Sequence, residues 1–305
     1  MSAVYPVRAR LNAWVIALQV PAVIACLALA GGVEGWPLVA LALAFGILMN
    51  SVYAIIHEAE HGILFVDRRR NDAAGVALAL LFPAPFHLIR QGHIGHHLRN
   101  RSDDEAFDLW FDGERPLWKA LQLYGILTGF YWLVVVSSNL VVLLAPGLLR
   151  RRFFEFDRPT AALMDSLNRR YFRWIQAEAA AALLLHAGLI ALLQVPVLRY
   201  AAVYAGFGFT WSALQYAHHF GTERHVTRGA RNLWVGRPLD LLWLNHNWHR
   251  VHHEHPTVPW PYLPELGRRE GPPPRFLPWA YLKMWRGPRR AREHVENRFA
   301  GRIVA

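Results

Sequence analysis

The sequence predicts an all-α membrane protein with about four transmembrane helices, further interfacial or re-entrant helices, and a histidine-rich cap on the cytoplasmic side. Three observations support this fold class. Hydrophobic residues make up 54% of the 305 residues and the mean hydropathy is positive, which is unusual for a soluble domain of this size. Apolar runs of membrane-spanning length recur along the chain. The 16 histidines cluster beyond the ends of these runs.

The four predicted spans form two hairpins, at 12–33 with 36–56 and at 172–193 with 196–217. Each run holds about 20 residues, the length that a helix needs to cross a bilayer. The first run is too long for the apolar part of a signal peptide and is followed at once by a second run, so we interpret it as a span.

Two other apolar stretches do not fit a straight span. Residues 73–86 are too few and are interrupted by Pro83 and Pro85, whereas residues 117–149 are too many. If the basic segments beside them all face the cytoplasm, each stretch enters and leaves on one side. We therefore predict interfacial or re-entrant helices, with a tight transmembrane pair as the alternative for 117–149.

The net charge of +11 is unevenly distributed. Arginine triplets stand at 68–70 and 150–152, and residues 268–302 hold ten Lys or Arg against three Glu, whereas the links at 31–37 and 193–196 hold no Lys or Arg. The positive-inside rule then assigns the basic segments and the N-terminus to the cytoplasm, which for this chain means the inner face of a bacterial inner membrane. We interpret the basic tail as a solvated surface near anionic lipid, not as a nucleic-acid site.

The chain is predicted to be one domain over residues 1–305, with a core of about 11–264 and a basic cytoplasmic tail at 265–305. The sequence shows no internal repeat, appended soluble module or Gly-rich phosphate loop. Cys26 is the only cysteine, so an intramolecular disulfide or a thiolate cluster is excluded. Any metal must be held by histidine or carboxylate.

Four histidine clusters are present, and in three of them the i, i+3 or i+4 spacing places the side chains on one helical face; the fourth is an adjacent pair. They are His57 and His61 in "HEAEH", His93, His96 and His97 in "HIGHH", His218 and His219 in "QYAHHFG", and His249, His252 and His253 in "HRVHH". All lie on the predicted cytoplasmic side and could meet at one place. Eight or nine imidazoles exceed what one ion of four to six ligands can use, so two ions of iron, zinc or copper are expected.

The succession HxxxH, HxxHH and HxxHH, with spans between, resembles the integral-membrane fatty-acid desaturase and hydroxylase superfamily over about residues 51–264. "GHIGHH" and "QYAHHFG" also look like boxes of membrane alkane hydroxylases, in which the histidine before the aromatic-Gly pair is a ligand; this favours His219 over His218. The resemblance implies two Fe ions, for which zinc could substitute in purified protein. The implied ligands are His57, His61, His93, His96, His97, His219, His249, His252 and His253.

Several polar residues near the boxes are predicted to support these ligands, because a metal-bound imidazole commonly donates its second N–H to a carboxylate. Asp104 and Asp108 are the first candidates, followed by Glu58. Asn245 and His246 could hold a water on one metal. The alternative for the carboxylates is ordinary charge pairing with nearby arginines.

Three further predictions concern the other histidines and the segment after the last box. His87, His225 and His294 are assigned to structure or surface. His186 lies within a span on the same face as Glu178, and a hydrogen bond between helices is favoured over a functional role. The proline-rich segment 255–266 should form an extended wall near the metal, in which Trp260 lines a tunnel or anchors the interface.

The resemblance implies O2-dependent oxidation of an unactivated C–H bond in a lipid-like chain. Fatty acyl desaturation is favoured, and hydroxylation of an acyl or alkyl chain or a carotenoid by the same centre stays open. The lone cysteine excludes a fused Cys-ligated cluster. Electrons are therefore expected from an external donor, such as an acidic ferredoxin-like carrier that docks on the basic face.

Two other functional classes compete with this interpretation. "HEAEH" also matches the H-E-x-x-H pattern of zinc proteases, with Glu58 as the base and Asp240 as an available third ligand, but this would leave seven box histidines without a role. A metal transporter would place its ligands along the spans near the bilayer midplane, whereas these histidines lie beyond the span ends.

Overall fold

The computed structural model describes residues 5–299 and 301–303 and confirms the predicted all-α class, since about 67% of it is helical. The helices are, in chain order, α1 (Ala9–Leu29), α2 (Gly35–Glu60), α3 (Arg68–Leu81), α4 (Phe86–Arg99), α5 (Pro116–Thr128), α6 (Phe130–Leu144), α7 (Arg158–Ser166), α8 (Phe172–Leu193), α9 (Val197–Ala217), α10 (Arg237–Leu242), α11 (His249–Glu254), α12 (Leu263–Glu270) and α13 (Leu277–Met284). Four two-residue strands are β1 (Leu109–Trp110), β2 (Leu233–Trp234), β3 (Arg275–Phe276) and β4 (Arg289–Arg290). They form two short parallel pairs, β1 with β4 and β2 with β3.

Three helical segments are long and apolar enough to cross a membrane: Ala9–Gly32, Gly35–Glu60 and Arg169–Leu193. The fourth predicted span, α9, has 21 residues but is less apolar, because it contains Arg199, Gln215 and several tyrosines. It packs along α2 inside the bundle, where polar side chains find partners.

The apolar stretches 73–86 and 117–149, which do not fit a straight span, belong to two sharply bent helix pairs. α3 and α4 meet at 101°, and α5 and α6 at 93°. Each pair is a broken span or a re-entrant loop, so the bundle has three to five candidate spans, a range that includes the predicted four. The first bend coincides with Pro83 and Pro85. The second lies at Gly129, whose φ of 90° is a left-handed conformation that favours glycine.

Helices α2 and α9 cross at two glycines. A Cβ on Gly206 would collide with the carbonyl oxygen of Ala42, and a Cβ on Gly46 would lie 2.7 Å from Thr210 Oγ1. Small residues at such a crossing let two backbones approach closely. The crossing therefore fixes how far apart the cytoplasmic ends of α2 and α9 lie.

The C-terminal segment packs on the cap, although most of its arginines are exposed. Strand β4 pairs with β1, and Asp103 accepts hydrogen bonds from the Val295 amide and the His294 ring. Farther on, the Ile303 amide donates to the Ser166 carbonyl at 2.9 Å. Residues 289–299 and 301–303 thus form an anchored strap and not only a solvated tail.

His186 makes the expected hydrogen bonds between helices. Its ring accepts from the Tyr200 hydroxyl at 2.5 Å and donates to the Leu80 carbonyl at 2.9 Å. Glu178 pairs with His87 at 2.5 Å and not with His186. These buried contacts tie α8 to α4 and to the end of α3.

Candidate metal centre

The histidine clusters are carried by four elements that end at one side of the bundle. The last turn of α2 supplies the first cluster, α4 the second, the residue after α9 the next, and α11 the last. Helix α11 has only six residues, and the Asn232 side chain holds its start by accepting from the Arg250 and Val251 amides at 3.0 and 3.4 Å. This capping asparagine was not recognised in the sequence, because it stands 17 residues before the helix.

The histidine side chains converge into two adjacent groups. Group A contains His57, His61, His93, His97 and His252; group B contains His96, His219, His249 and His253. Within each group the candidate ligand atoms all lie within 4.8 Å of one another. The stacked rings of His97 and His253, with centroids 4.2 Å apart, join the two groups. All nine histidines predicted as ligands therefore meet at this place.

The spacing of the ring nitrogens suits bound metal. In group A, His97 Nε2 lies 3.1 Å from His93 Nε2 and 3.0 Å from His252 Nε2, whereas the Nε2 atoms of His61 and His93 are closer, at 2.7 Å. In group B, His219 Nε2 lies 3.1 Å from His249 Nε2. A metal–nitrogen bond of about 2.1 Å places neighbouring ligands of one ion about 3.0 to 3.4 Å apart.

The hydrogen bonds on the far side of two rings fix their tautomers. His219 Nδ1 lies 3.0 Å from the Gly229 carbonyl, which can only accept, so this nitrogen carries the proton. His96 Nδ1 likewise faces the Glu105 carboxylate at 3.3 Å. The two Nε2 atoms therefore present lone pairs to each other at 3.2 Å, an arrangement that a cation between them would stabilise. The two groups can bind metal ions.

For several of these imidazoles the electrostatic environment favours the neutral form, which is the form that binds metal. Burial lowers the pKa of His249, His252 and His253 well below its ordinary value, and the neighbouring imidazoles lower it further. Burial also lowers the pKa of His219, as does His96.

Two further carboxylates lie near the histidines, and Glu105 was not among the predicted ones. Glu105 faces His96 and is also paired with Arg99 Nε at 3.4 Å. Glu60, fully buried at the end of α2, lies 3.9 Å from His93 Nδ1. Only the helical spacing of Glu60 from His57 could have indicated the direction of the Glu60 side chain. The Glu105 side chain points towards His96 because residues 103–105 form a 3₁₀ turn.

The roles predicted for Asp104 and Asp108 need correction. Asp104 accepts a hydrogen bond from Asn297 at 3.0 Å. Asp108 is buried and accepts from Arg101, from the Tyr216 hydroxyl at 2.7 Å and from the Gly221 amide at 2.7 Å. The chain turns away from the histidines after α4, so these carboxylates tie the loop to the strap and to the end of α9.

Glu58 and His246, two of the other residues predicted to support the ligands, line a small cavity beside group A. It has a volume of about 10 Å³ and is lined by Ala54, His57, Glu58, Leu244, His246, His252, Trp260 and Leu263. This is close to the space that one water occupies. The predicted wall segment thus contributes Trp260, although it becomes helical at Leu263. Glu58 accepts from the Trp260 amide at 3.2 Å.

Asn245 and His246 differ in what they can do at this cavity. The Asn245 amide donates to the Trp260 carbonyl at 3.1 Å, which braces the wall. The His246 ring lies 4.6 Å from the His57 ring, centroid to centroid. Its buried Nε2 has no hydrogen-bond partner among the described residues, so His246 remains available to a small bound molecule.

The other histidines have partners away from the two groups. His218 Nδ1 donates to the Arg231 carbonyl at 3.2 Å, and His218 belongs to neither group. His255 pairs with Glu270 at 3.0 Å, and His294 with Asp103 at 2.7 Å. His225 accepts from the Thr227 amide at 3.3 Å.

The structure does not bring Asp240 to His57 and His61, as the zinc-protease interpretation requires. Asp240, the offered third ligand, accepts from Asn247 at 2.6 Å and belongs to neither group. The neighbours of His57 and His61 are other histidines, and Glu58 is engaged by the Trp260 amide.

Comparison with known proteins agrees with this geometry. A family model described as fatty acid desaturase matches residues 34–288. A beta-carotene ketolase from Paracoccus sp. is 26% identical over 235 residues, which cover 75% of this chain and 79% of that protein. The match confirms the resemblance seen in the histidine boxes, and it makes this chain a membrane oxidoreductase of lipid-like substrates. The chain belongs to the fatty acid desaturase family.

Proposed function

We propose that the protein is an O2-dependent di-iron enzyme that oxidises an unactivated C–H bond of a lipid-like chain. In this proposal group A holds one iron and group B the other. The observation that carries it is the convergence of nine buried or half-buried imidazoles into groups of five and four, since neutral imidazole suits iron and two groups suit two ions. We also propose that residues 1–305 form one domain.

Bound iron would supply the redox chemistry that activates O2 towards a C–H bond. The chain's own residues do the rest. Glu105 fixes the orientation of His96, and such a supporting contact raises ligand basicity. Burial keeps water from the site. The cavity beside His57 and His246 can admit a molecule the size of dioxygen.

An apolar wall supports a hydrocarbon substrate. Ala54, Leu244 and Leu263 line the cavity together with the Trp260 indole. Behind it, the Tyr53 ring lies 5.4 Å from the ring of Trp211 and 5.7 Å from that of His246. The cavity of about 10 Å³ does not itself hold an alkyl chain, but the apolar side chains beside the imidazoles can make dispersion contacts with one.

Fatty acyl desaturation is the first candidate reaction, in line with the family description. Oxygenation of a carotenoid is the second, because the one relative named above is a beta-carotene ketolase. Both reactions remove hydrogen from carbon and differ in whether oxygen is then added.

The two candidates are separated by expressing the chain in one host that makes only fatty acids and in another that also accumulates β-carotene. Lipids and pigments are profiled by mass spectrometry. New double bonds in acyl chains would support desaturation, and new keto or hydroxyl groups on the pigment would support the second candidate. The variant His219→Asn is the inactive control. No product with either host would contradict both candidates.

We further propose that the histidine groups face the cytoplasm of a bacterial inner membrane and receive electrons from an external ferredoxin-like protein. The net charge of +11 favours an acidic carrier, and attraction between exposed charges is screened by salt. Donor-dependent turnover should therefore fall as salt is raised. A rate that is insensitive to salt would contradict this donor.

A further inference from the structure

A second cleft lies away from the histidines, between the end of α6, α7 and the start of α8. Its volume is about 230 Å³. It is lined by Leu149, Arg150, Arg151, Arg152, Met164, Asp165, Leu167, Arg169, Phe172 and Arg302, and we call it the arginine cleft.

The arginine cleft carries five guanidinium groups and one carboxylate. Asp165 is paired with Arg151 at 2.5 Å, and Arg302 donates to the Leu167 carbonyl. Arg150, Arg152 and Arg169 are exposed and have no ion pair within the described ranges. A concave site with this excess of positive charge attracts anions, and guanidinium binds phosphate oxygens in a bidentate manner.

The surroundings of the arginine cleft place it at the membrane surface. Helix α8, a candidate span, starts at its rim, and Trp174 in the first turn of α8 is 63% exposed, as is typical of an interfacial aromatic belt. Leu144, at the end of α6, is 81% exposed. A phosphate next to exposed apolar side chains is what a phospholipid offers. A soluble anion would gain nothing from that apolar rim.

We propose that the arginine cleft binds the phosphate headgroup of an anionic phospholipid from the surrounding bilayer. Arg150, Arg152 and Arg169 contact the phosphate oxygens, and the acyl chains lie along the exposed apolar end of α6. The floor of the cleft is coupled to α4, because the Asn168 amide beside it donates to Gln91 on α4 at 2.6 Å. A bound lipid thereby stabilises the segment behind the second histidine box. This site is independent of the proposed reaction, so its test uses no turnover.

The test compares lipid binding to the full chain in detergent, by native mass spectrometry and by the shift in Tm. The probes are phosphatidylglycerol, phosphatidylcholine and inorganic phosphate. The triple variant Arg150→Gln, Arg152→Gln, Arg169→Gln removes the unpaired charges. The control variant Arg69→Gln, Arg115→Gln, Arg237→Gln removes the same charge from exposed positions outside the cleft. Without added lipid, equal Tm values for both variants and the wild type show that the fold is intact.

Phosphatidylglycerol should raise the Tm of the wild type and the control variant, and phosphatidylcholine should not. The triple variant should bind phosphatidylglycerol about 100-fold more weakly, given the usual contribution of each basic residue near anionic lipid. Equal Tm shifts with both lipids, or an equal loss of lipid binding in both variants, would overturn the proposal. A Tm shift from inorganic phosphate as large as that from phosphatidylglycerol would also overturn it. So would a triple variant that keeps its Tm shift with lipid but no longer binds an acidic donor protein.

Discussion

His218 and His219 are neighbours with the same chemistry and different surroundings. Both rings donate from Nδ1 to a backbone carbonyl, that of Arg231 for His218 and that of Gly229 for His219. Only His219 Nε2 reaches group B, 3.2 Å from His96 Nε2 and 3.1 Å from His249 Nε2. The end of α9 therefore selects one of two adjacent imidazoles for the metal site.

Substituting each of these histidines by asparagine separates the two roles. An asparagine amide can replace the Nδ1 donor but offers no nitrogen at the Nε2 position. His219→Asn should lower activity and metal affinity by more than about 100-fold, beyond the usual effect of losing a supporting residue. His218→Asn should retain bound metal. Metal analysis of the purified variants checks this, and equal metal loss in both would contradict the assignment of His219.

The sequence pattern does not distinguish the carboxylates after α4 that face the histidines from those that do not. Asp104, Glu105 and Asp108 stand within five residues of each other, and spacing alone cannot rank them in a loop. The 3₁₀ turn at residues 103–105 directs Glu105 to His96 and Asp104 to Asn297. The histidines were predictable because their i, i+3 and i+4 spacing is read on a regular helix.

Glu105→Gln tests the role of this missed carboxylate. The amide keeps the shape of the side chain but removes the charge that fixes the His96 ring, so metal affinity should fall about 10- to 100-fold. Asp104→Asn, next to it, is the matched control and should change metal affinity little. Titration with a competing chelator measures both, and a Glu105→Gln protein with wild-type affinity would remove Glu105 from the site.

At the scale of elements, the crossing of α2 and α9 sets the geometry of the site. The C-terminal end of α2 carries His57 and His61, and His219 follows the end of α9. Gly206→Ala should separate the helices, with a destabilisation of about 1 to 3 kcal/mol, the usual cost of overpacking. Gly188→Ala on α8, where a Cβ meets nothing within 4 Å, is the control for helix propensity. Tm and metal content measure both, and equal effects would contradict the role of the crossing.

The loop after α4 is held by a buried ion pair. Arg101 and Asp108 are 0% and 2% exposed, and the pair is bonded to Tyr216 near the end of α9. Asp108→Asn leaves the guanidinium without a charge partner, which should cost about 3 to 5 kcal/mol. Asp112→Asn, which breaks the exposed pair with Arg290, should cost less than about 1 kcal/mol. Thermal unfolding in detergent compares them, and similar losses would contradict the buried pair's role.

The same pair predicts the direction of a pH effect. Burial alone would raise the pKa of Asp108, but Arg101, Tyr216 and the Gly221 amide hold it below its ordinary value. Its contribution to stability is therefore present above about pH 3.9, the ordinary aspartate pKa, and is lost as the pH falls through the lower folded value. The Tm difference between wild type and Asp108→Asn should shrink over that acidic range.

Some elements could be predicted and others could not, for physical reasons. Long apolar runs and the prolines at 83 and 85 predicted the spans and the first bend. The strand pairs β1 with β4 and β2 with β3 have two residues per strand, which is too short for any periodic pattern. The strap is anchored by backbone contacts of Val295 and Ile303 to Asp103 and Ser166, which composition does not indicate.

At the scale of the molecule, a bundle with three to five candidate spans carries its ionisable residues to one end. Hydropathy and charge distribution are properties of the whole chain, so they predicted this architecture well. The convergence of four distant clusters depends on how the helices pack, and the family resemblance predicted it better than spacing did. The arginine cleft is a further product of packing, because Arg302 joins arginines 133 or more residues earlier in the chain.

The central claim is that groups A and B each hold one iron. Iron, zinc and copper should be quantified per chain in protein purified from iron-supplied cells, together with Mössbauer spectroscopy and with His219→Asn and His218→Asn alongside. We expect about two irons per chain, magnetically coupled, since nine imidazoles exceed the needs of one ion, with iron lost in His219→Asn and retained in His218→Asn. Active protein that holds a single zinc or copper ion, or no iron, would contradict the account.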